Sequence, residues 1–583
     1  MNHQPPTAEA KFDVIIAGAG AAGCVLAGRL SEFSGKRVLL IEAGPDAPPG
    51  HEHADIRDAY PVSYGNARFH WPGLAAEAGP DPGNGNPRVS TPYLQGFGVG
   101  GGSNVNGMFA DRGLPSDYDE WRDLGAAGWG WSDVLPYFRK LENDEDFGGP
   151  LHGKEGPIPI RRLKPEEWAP FAKALASALR RCGAAMVDDS NGEFGDGISS
   201  APMSCLADRR VSASMGYLPN RVRKRPNLAI LADTQVERLV IRDGCLQGVE
   251  VRTAAERLEF SAPEVVVACG AVYSPTLLLR SGIGPAEQLR ALGIEVVRDL
   301  RGVGRNLQNH PTVLLAMHLR PAGMQLAGQR TWQQNLLRYS SKAADCADQD
   351  MLLLTLSKLA WHPLGRHLAA VAVVVNKAYS KGCVELVSAN PAVAPRVRFN
   401  LLDDSRDFHR LVDGLKIALQ ALGADEVMRV RNEVLTPASA IEAHLARRSV
   451  LNWVQAWLIS TALRIDPLRR AVLRSSTLDV RSMVEDKFTL RNYVRRCAQA
   501  LYHVCGTCKM GSAGDADVVV DPSCHVLGIR GLRVVDASVF PSVPSAATHL
   551  PVIMVAEKVA DRIKAEWLNP SIGWYAECKT AAM

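Results

Sequence analysis

The chain has 583 residues, more than one ordinary domain requires, and 46% of them are hydrophobic, which is ample for a buried core. Its net charge of +4 is small for this length and its Lys and Arg are dispersed, so no nucleic-acid or acidic partner is indicated. The N-terminus lacks the pattern of a secretory signal, and no apolar run reaches the roughly 18 residues of a membrane span, so we expect a cytoplasmic protein without an integral membrane segment.

A dinucleotide-binding signature opens the chain. Residues 12–17 read as a buried strand, Gly18, Gly20 and Gly23 follow at once, and the next strand ends in Glu42. In a strand–turn–helix unit these glycines permit the tight turn, the approach of a pyrophosphate and close helix–strand packing. Glu42 can hydrogen-bond an unphosphorylated ribose, which favours FAD or NAD over NADP. The plainer alternative is a strand and helix that bind no nucleotide.

A second glycine-rich segment, residues 95–107, follows a long loop-rich stretch at residues 44–92. Small residues in succession can turn backbone N–H groups inward to bind an anion, and Ser103, Asn104 and Asn106 add polar contacts. A flexible linker is the alternative. We expect the 44–92 stretch to be an ordered wrap or lid, because it contains several aromatic residues.

The middle of the chain alternates strands with a further strand-to-helix turn. Strands are predicted at residues 227–232, 239–241, 248–252 and 264–268, and a helix begins near residue 276. This turn resembles the first one and is expected to face the same cofactor.

From about Pro311 the composition changes. The pattern predicts helical structure over residues 330–360, strands at 371–375, 383–387 and 396–400, and helices at 405–422, 437–446 and 451–465. We interpret this region as a second domain, an antiparallel sheet with helices, that closes over the cofactor. The apolar stretch 451–473 contains three arginines and reads as an amphipathic helix, with a membrane-surface helix as the alternative.

The C-terminal region returns to the nucleotide domain, with a strand at residues 532–536 and a helix at 551–565. This return places His503 and His549 beside a site built by the first hundred residues. Cys505 and Cys508 have the spacing of redox or metal sites. A metal site at Cys505 and Cys508 would need two more ligands nearby, and Cys524 with His525 is the one candidate cluster downstream. We therefore expect structural thiols and no metal.

At these residues the chain resembles the glucose-methanol-choline (GMC) family of flavoprotein oxidoreductases. The resemblance covers residues 12–42, 96–119, 270–284 and 502–563. It implies an α/β plus α+β fold: a Rossmann-like FAD-binding domain (11–160, 205–312 and 490–566) with a discontinuous antiparallel-sheet substrate domain (161–204 and 313–489). Residues 567–583 would form a C-terminal extension.

The resemblance implies that FAD is the cofactor. Some members tether FAD through a histidine in the second glycine-rich segment, but this chain has Val105 there, so noncovalent FAD is expected. The residues implied to contact FAD are Gly18, Gly20, Ala21, Ala22, Gly23, Glu42, Ala43, Gly100, Gly101, Ser103, Asn104, Asn106, Gly107, Met108, Val236, Ala268, Asp536, Ala537 and Thr548.

His503 matches the catalytic histidine of the family, and a histidine suits a base because its ordinary pKa lies near working pH. The family usually has His or Asn where this chain has Ala547, which can neither accept a proton nor orient a hydroxyl. Three explanations are open: His549 takes over as the second catalytic residue, His503 works with a group from elsewhere, or oxidation is compromised. We favour His549.

The leading functional hypothesis is an FAD-dependent oxidoreductase that oxidises a primary alcohol to an aldehyde. A flavin-containing lyase or decarboxylase on the same fold is the alternative, and a binding role with vestigial FAD is a third. We expect a small-molecule alcohol as substrate, with specificity set by residues 311–489 and 44–92. Oxygen, a quinone or a carrier protein could each be the electron acceptor.

Overall fold

The N-terminal part of the protein is built around a parallel sheet of five strands. The computed structural model describes residues 11–79, 89–436 and 448–569. Val14–Ala17 at the centre of this sheet and its neighbour Val38–Ile41 are continuous apolar runs, as strands covered on both faces require. In spatial order the strands are Leu532–Val534, Glu264–Val267, Val14–Ala17, Val38–Ile41 and Leu228–Leu231.

The last helix of the described chain packs against the first. His549–Leu568 lies along Ala21–Leu30, and the fully buried carboxylate of Glu557 receives the Arg29 guanidinium at 2.8 Å and the Tyr217 hydroxyl at 2.7 Å. This confirms that the C-terminal region returns to the domain that the N-terminus begins.

A second, wholly antiparallel sheet forms the other half of the core. One face packs on the helix Ser405–Leu422, and the opposite face carries leucines, alanines and a valine. In spatial order its strands are Thr477–Leu478, Arg431–Leu435, Pro311–Leu319, Leu368–Val375, Met351–Leu356, Gln333–Tyr339 and Gly197–Ser200, with Gln499–Ala500 pairing to Pro311–Leu319.

The prediction of helix over residues 330–360 is wrong. The structure has two strands there, Gln333–Tyr339 and Met351–Leu356, paired in a hairpin. Met351–Leu356 is a continuous apolar run, and such a run fits a buried helix or a buried strand equally well by periodicity. The connecting loop contains Lys342, Asp345 and Gln349 with φ between +53° and +58°, a left-handed conformation that excludes a continuous helix.

Smaller sheets complete the strand content. Residues 383–385 and 396–398 are strands as expected, but they pair with strands of the 44–92 stretch and not with the large sheet. The C-terminal half of this stretch therefore contains regular structure. The strands are Gln235–Arg242, Cys245–Arg252 and Arg257–Ser261; Cys383–Glu385, Arg396–Arg398, Ala75–Glu77 and Ser90–Pro92; Ile283–Gly284 with Arg298–Asp299; and Glu142–Asp144 with Ile158–Ile160.

Most predicted helices are present with shifted ends. The predicted helix 437–446 and most of the extension 567–583 lie outside the described residues. The α-helices are Ala21–Leu30, Ala54–Arg57, Pro115–Asp123, Trp131–Leu141, Pro170–Arg181, Ala213–Tyr217, Asn220–Arg223, Gly270–Arg280, Ala286–Ala291, Ser405–Leu422, Asp425–Met428, Val450–Ala462, Asp466–Leu473, Val480–Glu485, Lys487–Cys497 and His549–Leu568.

The two large sheets support a division into two domains, although the exact boundaries given above stay a prediction. Among the helices of the described ranges, none combines the length and the apolarity that crossing a membrane requires.

A buried charge network ties residues 142–152 to residue 189. His152 lies 2.8 Å from Asp189, 3.1 Å from Asp144 and 3.3 Å from Glu142. Burial by itself lowers the pKa of His152, but hydrogen bonds to the three carboxylates outweigh it and raise the pKa to about 10. Arg112 and Arg162 pair with the same carboxylates. The cluster therefore holds an imidazolium and two guanidinium groups, which makes it an ion-pair network.

Replacing His152 by Gln should lower stability by about 2–4 kcal/mol near neutral pH, because buried carboxylates lose a positive partner. The contribution of His152 is complete below the unfolded-state pKa of 6.5 and is lost as the pH rises through about 10. The difference in thermal midpoint between wild type and H152Q should therefore shrink from pH 6 to pH 10.

His525→Gln is the matched control, since His525 forms a partly exposed pair with Asp521 at 3.2 Å and should matter little. A difference for H152Q that grows with pH would contradict the protonated state of His152.

Candidate active site

The two glycine-rich segments meet at the carboxyl end of the parallel sheet. Gly18 has φ +99°, and a Cβ there would lie 2.6 Å from the Ala268 carbonyl oxygen. A Cβ on Gly101 would lie 2.8 Å from the Cα of Gly20, and the Gly100 N–H donates to the Ala19 carbonyl at 2.8 Å. Only glycine allows the two backbones to approach this closely.

Glu42 joins three backbone segments. One carboxylate oxygen accepts from the Ala19 N–H at 2.8 Å, and the other accepts from the N–H groups of Gly44 and Gly98 at 3.0 and 3.2 Å. Burial raises the pKa of Glu42, and these hydrogen bonds partly offset that rise. A carboxylate offers about four lone-pair sites, so Glu42 retains capacity to accept a ribose hydroxyl.

The other implied FAD contacts lie around the same sheet end. Asp536 follows the strand Leu532–Val534 and accepts hydrogen bonds from the Gly270 and Ser538 N–H groups at 2.8 and 2.7 Å. Ala537 begins a short 3₁₀ helix there, and Thr548 precedes the helix His549–Leu568. Ala21 and Ala22 adjoin Gly20, Ala43 adjoins Glu42, and Ala268 directly follows the strand Glu264–Val267. Val236 lies two residues after Thr234, whose N–H donates to the Glu42 carbonyl.

The second glycine segment is held by an arginine that the sequence analysis does not consider. Arg210 Nη1 donates to the Ser103 carbonyl and to Asn106 Oδ1 at 3.1 and 2.5 Å. Asn106 Oδ1 also accepts the N–H of Met108, the residue after Gly107, and Met108 has φ +64°. This places Gly107 and Met108 beside the cradle formed by residues 100–106.

Three buried polar atoms around this cradle lack hydrogen-bond partners: Asn104 Oδ1, Arg210 Nη2 and His549 Nε2. An unpaired buried polar atom is costly, so it indicates a missing ligand. These atoms include both donor and acceptor capacity, as the isoalloxazine edge of FAD requires. These three atoms, the glycine cradle and the lone pair that remains on Glu42 together fit FAD.

The histidine motif is fixed on three sides. The backbones of Cys505 and Gln308 exchange two hydrogen bonds at 3.0 and 3.1 Å, the Gly506 N–H donates to the Ala537 carbonyl, and the Thr507 hydroxyl donates to the Ala271 carbonyl. Asn309 Oδ1 accepts the N–H of His503 at 3.1 Å. His503 is therefore held by segments that also border the nucleotide-binding turn.

The side chain of His503 contacts His310, a residue to which the sequence alone assigns no role. The two Nδ1 atoms are 2.8 Å apart, and His310 Nε2 lies 3.1 Å from the Pro544 carbonyl oxygen. A carbonyl can only accept, so His310 Nε2 carries the hydrogen and its Nδ1 accepts from His503 Nδ1–H. His503 Nε2 is left with a lone pair.

Both rings are neutral. Burial, with a smaller effect of Lys377, lowers the pKa of His310 to about 4, and burial followed by repulsion from His310 lowers the pKa of His503 well below its ordinary value. A neutral imidazole with a free Nε2 lone pair can accept a proton.

Among the described residues His549 is not hydrogen-bonded to this pair and makes no ring contact with His503. Burial and then the charge of Arg210 lower the pKa of His549 to about 4. Of the three explanations for Ala547, the geometry favours a group from elsewhere, His310, as the partner of His503. A catalytic role for His549 stays a prediction.

Cys505, Cys508 and Cys524 are buried free thiols. Burial raises the pKa of each far above the ordinary range, so they are protonated and poorly nucleophilic. His525 pairs with Asp521 instead of joining them. The structure thus places these cysteines in the core.

The 44–92 stretch contacts both halves of the site. Ser63 Oγ donates to the Asn104 carbonyl at 2.7 Å, and the Tyr64 hydroxyl donates to the hydroxyl of Tyr502, the neighbour of His503, at 2.9 Å. Tyr93 stacks on Tyr502 with ring centroids 5.2 Å apart.

One face of the large sheet borders the site with apolar side chains. Met108 from the cradle and Ala547 from the turn before Thr548 pack into a single cluster with this face, and Trp332 packs at its edge. The sheet residues of the cluster are Leu336, Leu352, Leu354, Leu356, Ala370, Ala372 and Val374.

Sequence models of the GMC oxidoreductase family match residues 12–312 and 378–556. The chain belongs to the GMC oxidoreductase family. It is 38% identical over 563 residues to the 5-(hydroxymethyl)furfural oxidase of Methylovorus sp. (strain MP688), covering 95% of this chain and 98% of that protein. It is 31% identical over 606 residues to an oxygen-dependent choline dehydrogenase of Vibrio vulnificus (strain YJ016), covering 98% of each.

Among solved structures, a pyridoxine 4-oxidase from Mesorbium loti has a TM-score of 0.78 and 26% identity, covering 95% of this chain and 99% of that chain. The fold is therefore the GMC fold, with an FAD-binding domain and a sheet-rich substrate domain. The GMC oxidoreductase is an FAD-dependent enzyme that acts on CH–OH groups, and these relatives give no support to the lyase alternative.

Gly101→Ala should abolish FAD retention, because its Cβ would lie 2.8 Å from the Cα of Gly20 and push the two glycine segments apart. We expect the ratio of flavin absorbance to protein absorbance in the purified enzyme to fall at least tenfold, with little change in far-UV circular dichroism.

Gly35→Ala is the control, because its Cβ would make only an ordinary 3.5 Å contact with Phe33. Full flavin content in G101A would show that the close approach of the two segments is not needed for binding.

Proposed function

We propose that this GMC oxidoreductase oxidises an uncharged aromatic or furanic primary alcohol to the aldehyde, with FAD held noncovalently. The observation that carries the proposal is the hydrogen-bond chain from Pro544 through His310 to His503, which leaves His503 Nε2 free to accept a proton. Alcohol oxidation requires a base of this kind at the hydroxyl.

Bound FAD supplies the two-electron acceptor for the hydrogen that leaves carbon. The residues of the chain handle the proton: His503 Nε2 takes it from the substrate hydroxyl as the C–H bond breaks, and the product is the aldehyde. His310 acts as a positioning residue, because its Nδ1 accepts from His503 Nδ1–H and thereby fixes the tautomer. As positive charge develops on His503, the His310–Pro544 chain also stabilises it.

The residues proposed to hold FAD divide into three groups. Gly18, Gly20, Gly23 and Glu42 would bind the adenosine half, with Val236 beside the adenine. Asp536 with the turn at Ala268 would lie along the linker of the cofactor. The segment Gly100–Met108 would hold the flavin, with Arg210 and Asn104 meeting its polar edge.

The wall of the site supports this substrate class. The sheet residues that pack with Met108 and Ala547 are leucine, alanine and valine, and these side chains carry no charge that could pair with a cationic alcohol such as choline. Trp332 and Tyr60, with ring centroids 5.9 Å apart, add flat aromatic surface at its edge. The 38% identity to a 5-(hydroxymethyl)furfural oxidase supports the same class.

Noncovalent attachment is supported by the surroundings of Val105, which stands where some family members carry a histidine tether. The valine side chain has no nucleophilic atom, and Val105 is buried in a small apolar cluster with Ile56 and Phe69. The acceptor is oxygen, a quinone or a carrier protein, and a cytoplasmic location stays a prediction from the sequence.

An anaerobic spectrum of the purified enzyme tests this proposal directly. We expect 5-(hydroxymethyl)furfural and benzyl alcohol to bleach the oxidised-flavin bands, with choline at the same concentration at least a hundredfold slower. Air readmitted afterwards restores the bands within seconds if oxygen is the acceptor. Bleaching by choline in preference to the aromatic alcohols would refute the apolar substrate class.

Substitutions at His310 test its positioning role. His310→Leu should slow flavin reduction by about 10²-fold, because His503 loses the acceptor that fixes its tautomer. His310→Asn places an amide oxygen near the position of the lost Nδ1 and should recover at least tenfold of that loss.

His549→Ala provides the comparison at the second histidine. If His549 is the second catalytic residue, H549A should slow reduction by about 10² or more. Unchanged reduction in H310L together with a large loss in H549A would reverse the assignment made here.

A further inference from the structure

The helix Val450–Ala462 has its apolar side outward. Its exposed face carries Val450, Leu451, Trp453, Trp457 and Leu458, whose exposed fractions are 82, 65, 46, 47 and 55%. Its buried side chains include Asn452, Ala456 and Ser460. A surface helix normally shows the reverse arrangement, with apolar residues facing the core.

The exposed apolar side chains form one continuous face. Residues 450, 453, 454 and 457 follow each other at helical spacing, and with 451 and 458 they span an arc of about 160° at 3.6 residues per turn. The opposite arc, with Asn452, Ala456 and Ser460, faces the protein.

The next helix continues the pattern. Asp466–Leu473 exposes Leu468 and Val472, with Ile465 just before it. Both helices rest on the same small buried cluster, which contains Leu364, Ala456 and Leu463 with Leu473 packed against it. We call the exposed apolar side chains of these two helices, residues 450–472, the outer apolar face.

Positive charge surrounds this face. Residues 448–478 contain five arginines and a single acidic residue, Asp466. Arg448 pairs with Asp58, and the buried Arg469 pairs with Asp466 and Glu433. Arg464, Arg470 and Arg474 are exposed, and within the described ranges none of them has an acidic partner at ion-pair distance.

We propose that the outer apolar face docks on an anionic membrane surface. Trp and aliphatic side chains at a lipid–water interface bury apolar area while the indole N–H stays hydrated, and arginines bind lipid phosphates. The two helices would lie in the plane of the interface.

A second copy of the chain is the less favourable occupant. A two-fold contact through this face would bring the arginines of both copies together, with one aspartate in each copy that is already paired. An anionic surface neutralises these charges instead.

The outer apolar face lies next to the segment that covers the cofactor site. Arg448, two residues before the helix, pairs with Asp58 at 2.8 Å. Ser63, a few residues farther along the same segment, donates to the Asn104 carbonyl in the flavin cradle. Docking would hold this covering segment close to the membrane surface.

Co-sedimentation of the purified holoenzyme with lipid vesicles tests the proposal and needs no catalysis. We expect binding to vesicles of phosphatidylcholine with 40% phosphatidylglycerol, at least tenfold weaker binding to phosphatidylcholine alone, and weakening in 0.5 M salt. The double variant Trp453→Ser with Trp457→Ser should bind at least tenfold more weakly. Arg464→Gln, Arg470→Gln and Arg474→Gln together should remove the preference for anionic lipid.

Leu568→Ser is the matched control, because Leu568 is a 71% exposed apolar residue at the end of a helix of the FAD-binding domain. It should bind vesicles like wild type, and all variants should keep their flavin content and solution activity. No binding by wild type, or equal binding by the tryptophan double variant, would overturn the proposal. A wild-type dimer that the double variant converts to a monomer would show that a second copy covers the face.

Discussion

The carboxylate of Glu42 is the constraint on which the cofactor site depends. Three backbone N–H groups, from Ala19, Gly44 and Gly98, converge on its two oxygens and bind the turn after the first strand to two later loops. Glycines at these turns let the chains approach to backbone contact, and the flavin cradle at residues 100–108 follows directly from that contact. The rest of the site is built outward from this junction.

The histidine pair is placed by the other end of the molecule. His503 and His310 are nearly two hundred residues apart, yet a third segment borders both. The His310 ring N–H donates to the Pro544 carbonyl, and the Gly506 N–H, three residues after His503, donates to the Ala537 carbonyl. Their neutrality has a simple origin, because burial lowers the pKa of both rings and no carboxylate of the described residues pairs with them. The apolar sheet face beside Ala547 completes the enclosure. The histidine pair, the glycine-rich cradle at residues 100–108 and the apolar sheet face thus come from three different parts of the chain.

The sequence predicts the local parts of this arrangement well. Gly18, Gly20, Gly23 and Glu42 carry a signature in which each residue has one mechanical role, and the helix 405–422 has clear periodicity. The hairpin at 333–356 could not be predicted, because an apolar run of six residues is compatible with either element. His310 and Arg210 could not be assigned, because their roles arise only when distant segments meet. The inverted helix 450–462 was read as amphipathic, but its sequence does not reveal which side faces outward.

The helix His549–Leu568 joins the end of the chain to its beginning. Its buried Glu557 satisfies Arg29 and Tyr217, and its first residue lies beside the flavin cradle. During synthesis the nucleotide-binding strands emerge first, but their partner helix leaves the ribosome more than five hundred residues later. The nascent chain must therefore keep an incomplete apolar core shielded for most of its synthesis, which makes chaperone capacity a determinant of the yield of active enzyme.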